Sequence, residues 1–309
     1  MFINSIYKSF KIYGSKRTMK RILNRITFLV VRDILQKSLA VKTIHGSRML
    51  LDLKNKGISR ALWLEDTREE LDVEIVKKEV KPGMNILEVG ANIGYYLLLE
   101  GRLLKGQGMI YAFEPDPRNI SLLERNISLS KLEENVKFYP YAVSDVNSTG
   151  KFYLAGFSNL SSMIQKDGSG EHIEVKTVKI DNLEEINNSI DFIRMDIEGY
   201  EYEAINGMMG ILEKNNAKIL VELHPAAYSS KRDFSSIAEK LFSLGYGVRY
   251  LVSAGNHSPE EIVKKGYRPT RVAQEMVHSH GLYENIKNDD FIEFIKNPTK
   301  IVRSVMFSK

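Results

Sequence analysis

The apolar positions of the chain change their period near residue 66. Before it, Met19, Ile22, Leu23, Ile26 and Val30 recur at helical spacing, with Lys20, Arg21 and Arg25 on other faces. That pattern predicts a basic amphipathic helix. After residue 66, short apolar runs bounded by Gly and Pro alternate with helical stretches. Leu71, Ile75, Val76 and Val80 predict a helix that starts at the capping box Thr67-Arg-Glu-Glu70 and stops at Pro82-Gly83. Asn85–Val89, Met109–Phe113 and residues 136–143 read as strands, with helices over 95–104 and about 117–129 between them. Residues 151–154 and 173–180 read as additional β structure. Strands at Phe192–Met195 and Lys218–Glu222 flank a helix over roughly 200–213. A helix over 234–243 follows, and strands over 247–252 and 301–307 close the chain.

This alternation predicts an α/β fold with an open, doubly wound, mostly parallel sheet. Ligands in such sheets bind beyond the carboxyl ends of the strands. Residues 1–62 stand apart as a basic, helical N-terminal extension and 63–309 as the α/β domain. Within that domain, 255–300 is expected to be a substrate-side insertion in the last hairpin.

The chain has 309 residues, 43% of them hydrophobic, enough to bury a sizeable core. It has no cysteine, which excludes disulfides, thiolate nucleophiles and cysteine-ligated metal or iron–sulfur sites, and fits a reducing cytoplasm. The net charge of +5 is unevenly spread. Residues 1–60 hold fourteen Lys and Arg against only Asp33 and Asp52, while the remainder holds 30 basic and 37 acidic side chains. The basic character therefore belongs to the arm, which weakens a nucleic-acid reading for the body. The most apolar stretch, 26–31, is far short of the ~20 residues a spanning helix needs, and no cleavage site of a secretory leader follows it. A basic amphipathic helix over residues 1–35 suits either packing on the body with its charges solvated or peripheral contact with an anionic membrane.

The candidate chemistry sits at the strand ends. The first strand of the domain runs into Glu88-Val-Gly-Ala-Asn-Ile-Gly94 and then a helix. Glycines there let the backbone turn sharply and approach a ligand. The loop lacks the last glycine of a dinucleotide fingerprint, and Glu88 upstream would repel a pyrophosphate but attract an α-amino group. The second strand ends at Glu114, 24 residues after Gly90, where a carboxylate accepts hydrogen bonds from both ribose hydroxyls. An amino-acid nucleoside fits this pair of motifs better than a nicotinamide dinucleotide.

Glu88-Val-Gly-Ala-Asn-Ile-Gly-Tyr95, Tyr111-Ala-Phe-Glu-Pro-Asp-Pro117, Ala142-Val-Ser-Asp145 and Met195-Asp-Ile-Glu-Gly-Tyr-Glu201 resemble successive motifs of the FkbM family. These are class I, S-adenosylmethionine-dependent methyltransferases, and the resemblance covers about residues 65–225. It implies a seven-stranded Rossmann-like sheet and S-adenosylmethionine as cofactor. Glu88, Gly90, Asn92 and Gly94 would hold its methionine part, Glu114 the ribose, and Ala142 to Asp145 the adenine.

Methyl transfer from a sulfonium is an in-line displacement that needs a held nucleophile and, for an alcohol, a base. His224, titrating near neutrality, is the leading base, with Asp196 and Glu198 at the same edge; Asp196 can instead orient the methionine amino group. Asp196, Glu198 and His224 are residue types that bind divalent ions, but no ligand spacing demands a metal and none is expected. His278-Ser-His280 reads as an exposed loop pair. The expected reaction is O-methylation of a small-molecule, glycan or lipid-linked acceptor, in the cytoplasm or peripherally on the cytoplasmic membrane face. The alternative is an RNA methyltransferase gripping its substrate with the arm.

Overall fold

The computed structural model describes residues 2–54, 57–165, 170–186, 189–275, 278–297 and 300–309, with side chains from residue 14 onward. The chain opens with helix α1 (Phe2–Leu29), broken at Gly14, and one turn of π-helix over Val30–Ile34. A hairpin of β1 (Leu39–Ile44) and β2 (Ser47–Asp52) follows, then helices α2 (Ile58–Glu65) and α3 (Glu70–Glu79). The α/β alternation begins with β3 (Asn85–Val89), α4 (Tyr95–Leu104), β4 (Met109–Phe113), α5 (Pro117–Leu129) and β5 (Val136–Tyr139). A small sheet of β6 (Ala142–Val143), β7 (Ser148–Tyr153) and β8 (His172–Val178) leads into β9 (Phe192–Met195), α6 (Glu201–Asn206) and α7 (Met209–Lys214). The chain ends with β10 (Lys218–Glu222), α8 (Phe234–Ser243), β11 (Gly247–Ser253), α9 (Glu260–Lys264), β12 (Arg271–Glu275), β13 (His278–Ile286), α10 (Asn288–Lys296) and β14 (Val302–Ser308).

The main sheet has the order β12-β13-β11-β14-β10-β9-β3-β4-β5. Only β13 and β14 run against the common direction, so the expected mostly parallel sheet is present. Its strand count exceeds the expected seven. The seven from β5 to β11 match that expectation; the other two come from 255–300, which pairs along the free edge of β11. The insertion thus extends the sheet. None of its residues lines the cleft described below.

Alternate residues of each central strand feed two apolar layers. Ile86, Ile110, Phe192 and Leu220 pack with the hairpin and α3–α5, whereas Leu87, Val89, Ile193, Met195 and Val221 pack with α6–α8 and α10. Both faces are covered, which is why these strands read as continuous apolar runs.

Several boundaries shift for physical reasons. The expected strand 136–143 splits at Pro140, which has no N–H for a ladder. The helix expected over 200–213 breaks at Gly207, where a Cβ would stand 1.9 Å from the Ser144 carbonyl oxygen. The expected capping box does not form. Glu69 takes a left-handed conformation, and the first N–H of α3, on Glu70, donates to Glu275 Oε1 on β12 at 2.7 Å.

The N-terminal extension is only partly helical. Met49, Leu51 and Leu53 of its hairpin segment are buried in the same core as α3 and α4, and Asn126 of α5 bonds both backbone groups of Leu50. Helix α1 also packs the other way round from expectation. Its inner face is Arg17, Arg21, Asn24 and Phe28: Arg21 pairs with Glu65 at 2.8 Å, Asn24 Nδ2 donates to the Leu64 carbonyl, and Phe28 meets Trp63 edge-on. Met19, Leu23 and Ile26 are each at least half exposed. The polar face docks and the apolar stripe faces solvent.

Candidate active site

The site begins where β3 ends. Gly90 and Ala91 both donate their N–H to the Phe113 carbonyl of β4 at 2.9 Å, folding the loop over the neighbouring strand end. Gly90 has φ +87°, and a Cβ there would lie 2.1 Å from the Asp196 carbonyl oxygen, so this position takes no side chain. Asn92, also left-handed, donates its N–H to Glu114 Oε2 at 2.8 Å. Glu114 Oε1 accepts from the Asp116 N–H at 2.8 Å and from Asn119 at 3.3 Å. Burial pushes the Glu114 carboxyl up to about 7 against the lowering effect of these donors. Oε2, with one protein donor, keeps capacity for a ligand hydroxyl.

A second group converges from β9, the start of α6 and the end of β10. Glu201 is fully buried; its Oε1 accepts from the Gly199 N–H and pairs with His224 Nδ1, both at 2.9 Å, and its Oε2 accepts from Tyr228 at 3.0 Å. The other imidazole nitrogen, Nε2, faces Asp196 Oδ1 at 3.8 Å and Glu198 Oε2 at 3.7 Å. Burial alone would lower the imidazole pKa, but Glu201, Asp196 and Glu222 outweigh it and push it up to about 10. This departs from the expectation of a neutral-range base: beside these carboxylates the ring holds its proton well above neutrality. Asp196, Glu198 and His224 are also the one group among the described residues with donor types and spacing suited to a metal, their ligand atoms lying within 4.8 Å of one another.

Between the two groups lies Arg194 of β9. It donates to Glu88 Oε1 at 3.0 Å and to Asp196 Oδ2 at 3.3 Å, stands 3.9 Å from Glu69, and covers the Tyr96 ring at 3.8 Å. Burial is the largest influence on its pKa and lowers it, but the surrounding acids prevail and hold it well above its ordinary value. Glu100 of α4 is fully buried beside Glu88, and burial followed by the Glu88 charge drives its carboxyl well up.

One cleft joins the groups. Gly90, Asn92, Glu114, Ala142, Asp196 and Glu198 line it, as the sequence predicts. Gly94, which caps α4, lies between the lining residues Asn92 and Tyr95 without lining the cleft itself, and His224 stands behind Asp196 and Glu198. Two further expected ligands do not line it. Glu88 is buried behind the wall on Arg194, and Asp145 is exposed, accepting from the Ser144 hydroxyl at 3.2 Å.

Sequence reasoning missed Arg68, Glu69, Arg194 and Glu222, which also line the cleft. A charged residue inside an apolar strand, Arg194 in Phe-Ile-Arg-Met, was the available signal. Ser158 to Ser161 cover the cleft, tied to the start of α5 by Arg118, which bonds Asp116, the Ala155 carbonyl and Ser161.

A family model described as the methyltransferase FkbM domain matches residues 88–248. The hexuronic acid methyltransferase AglP of Haloferax volcanii is 25% identical over 179 residues, 53% of this chain and 66% of that protein. The chain thus spans just under two thirds of that relative's length. The solved methyltransferase FkbM of Methylobacillus flagellatus KT is similar at 15% identity and TM-score 0.38, over 72% of this chain and 52% of that one. P. horikoshii TYW2 in complex with MeSAdo is similar at 15% identity and TM-score 0.42, over 94% and 83%.

Proposed function

The chain belongs to the FkbM family of S-adenosylmethionine-dependent methyltransferases, and on that premise we propose that it methylates a hydroxyl of a sugar, glycan or lipid-linked acceptor. The observation that carries this reading is the single cleft that joins the Gly90–Asn92 loop and Glu114 to Asp196 and Glu198. The residues present fit the cofactor: a loop with no room for a side chain at Gly90, a carboxylate with a spare lone pair at the ribose position, and acids at the far end.

When bound, S-adenosylmethionine supplies a methyl group on a sulfonium, a good leaving group. The chain's own residues have three tasks. Gly90, Asn92 and Glu114 hold the donor, while Arg194 anchors Asp196 at the point where donor and acceptor meet. Asp196 and Glu198 accept the hydroxyl proton; His224 orients them, and Glu201 orients His224. Arg68, a third exposed in the cleft and 3.4 Å from Glu69, gives an acidic sugar a partner for its carboxylate, in keeping with the substrate named for the Haloferax relative.

The test is calorimetric titration with S-adenosylmethionine and with NAD, followed by mass-spectrometric screening of hydroxylated glycans and lipids for a one-methylene gain. Saturable NAD binding with none for the sulfonium would overturn the assignment.

Residues 1–35 support a peripheral position on an anionic membrane face. The exposed stripe of Met19, Leu23, Ile26 and Val30 is an apolar surface on a basic helix. No helix among the described residues is long and apolar enough to cross a membrane. The RNA reading loses support, because Arg17, Lys20 and Arg21 are engaged with Glu70, Asp66 and Glu65.

A further inference from the structure

The geometry points to a divalent-cation site formed by Asp196, Glu198 and His224 at the inner end of the cleft. It deepens the methyltransferase reading, on which the role of the ion, though not its binding, rests.

Three observations converge. The first is spacing. Two donors each ~2.1 Å from an ion stand between about 3.0 Å apart at a right angle and about 4.2 Å when opposed. The imidazole Nε2 lies 3.8 Å from Asp196 Oδ1 and 3.7 Å from Glu198 Oε2. Both distances are too long for hydrogen bonds and both fall within the range for ligands sharing one ion.

The second is the ring's anchorage. Metal-ligating histidines characteristically donate their other nitrogen to a carboxylate, which fixes the ring and its tautomer. Here Nδ1 is held by Glu201, itself fully buried and fixed by the Gly199 N–H and the Tyr228 hydroxyl. Glu201 therefore turns Nε2 toward the two carboxylates. The third is backbone form. Glu198 adopts φ +56°, uncommon for this residue type, with its Oε2 3.7 Å from His224 Nε2.

Two carboxylates and one imidazole favour a hard to borderline ion such as Mg²⁺ or Mn²⁺. Asp196 and Glu198 line the cleft, so such an ion offers its remaining positions to oxygen atoms of the acceptor. The matching acceptor has a hydroxyl beside a second oxygen donor, as in a vicinal diol or a hydroxy acid. The sequence did not demand this site because its third ligand comes from a different strand end, 26 residues after Glu198.

The experiment is titration of chelator-treated, full-length protein with Mn²⁺, free ion being followed by its electron paramagnetic resonance signal. S-adenosylmethionine is titrated calorimetrically into the same samples. The wild type should bind one ion per chain, and Glu198→Gln and His224→Ala should each weaken binding at least ten-fold. Glu201→Gln, which of the three ligands touches only His224, should weaken it about ten-fold. The site is refuted if the wild type shows no stoichiometric binding below millimolar Mn²⁺, or if Glu198→Gln and His224→Ala bind as the wild type does. Stoichiometric Mn²⁺ binding without any S-adenosylmethionine binding would leave the cation site standing and remove the methyltransferase reading.

Discussion

Glu88 and Arg194 are in-register partners on adjacent parallel strands β3 and β9, and their side chains pair at 3.0 Å on the same buried face of the sheet. Among the described residues, Arg194 is the cation that Glu88, Asp196 and Glu69 have in common. Its guanidinium also transmits the position of β3 to the acid end of the cleft. Arg194→Met leaves the buried Glu88 without its cation, which for a buried pair costs about 3–5 kcal/mol. Urea unfolding at pH 7.5 should show that loss. Glu88→Gln should be much milder, since it keeps an acceptor and removes a charge that burial and Asp196 both disfavour. Equal stability of Arg194→Met and the wild type would refute the role given to this residue.

Gly90→Ala should damage cofactor binding and folding together. The left-handed backbone alone costs about 1–3 kcal/mol for a non-glycine residue, and the new methyl would meet the Asp196 carbonyl oxygen, a backbone atom that cannot rotate away. S-adenosylmethionine affinity, read by calorimetry, is expected to fall about ten-fold or more, with a lower melting temperature. Unchanged affinity would mean that the loop does not contact the cofactor.

The parts of the fold that were legible are those where local chemistry and burial agree. β3, β4, β9 and β10 carry apolar runs followed within four residues by Gly or Pro, α5 starts on Pro117, and their bounds match the sequence reading. Strand β12 was illegible because most of it is exposed and polar, and β13 because polar residues stand among its buried positions. In 271–275 only Ala273 is buried, and His280, expected in a loop, is instead buried with Nδ1 against the Ser253 carbonyl at 2.7 Å. The start of α3 was misread for a related reason: its first N–H is satisfied by Glu275, some 205 residues away. Within the site, the strand-end acids were visible because their positions follow from the glycine loop. The separation of Glu88 from the cleft was not, since it depends on which buried cation its carboxylate meets across the sheet.

Glu114 confers a pH dependence on cofactor binding. Its carboxyl is pushed up to about 7 by burial, and the ionised form is the one that accepts a hydroxyl proton without surrendering its own. Affinity for S-adenosylmethionine should therefore rise with pH through about 7 and level above it, with about a ten-fold gain from pH 6 to pH 8. The same shift acts in the opposite sense on the stability of the ligand-free protein. A folded-state pKa above the unfolded value means the folded state binds the proton more tightly, so this contribution is fully present below about 4.5 and is lost as pH rises through about 7. Glu114→Gln should flatten both profiles. Calorimetry and thermal melts across pH 5.5–8.5, read for this variant against the wild type, check the two signs independently.

The inverted packing of α1 makes the membrane proposal testable without truncation. Removing residues 1–60 would delete the β1–β2 hairpin, whose Met49, Leu51 and Leu53 lie in the core, and the result would report misfolding. Leu23 and Ile26 are 56% and 51% exposed, so Leu23→Glu and Ile26→Glu leave the docked face of Arg21, Asn24 and Phe28 intact. Each side chain contributes apolar area only if another surface covers it, and burying one such side chain is worth about 1.5–3 kcal/mol. Co-sedimentation with phosphatidylglycerol vesicles should therefore be strong for the wild type, weaker with uncharged phosphatidylcholine, and lost in the double variant. The double variant should retain the wild-type melting temperature and S-adenosylmethionine affinity. Vesicle binding that survives both substitutions would place the contact elsewhere on the molecule and leave the exposed stripe without this role.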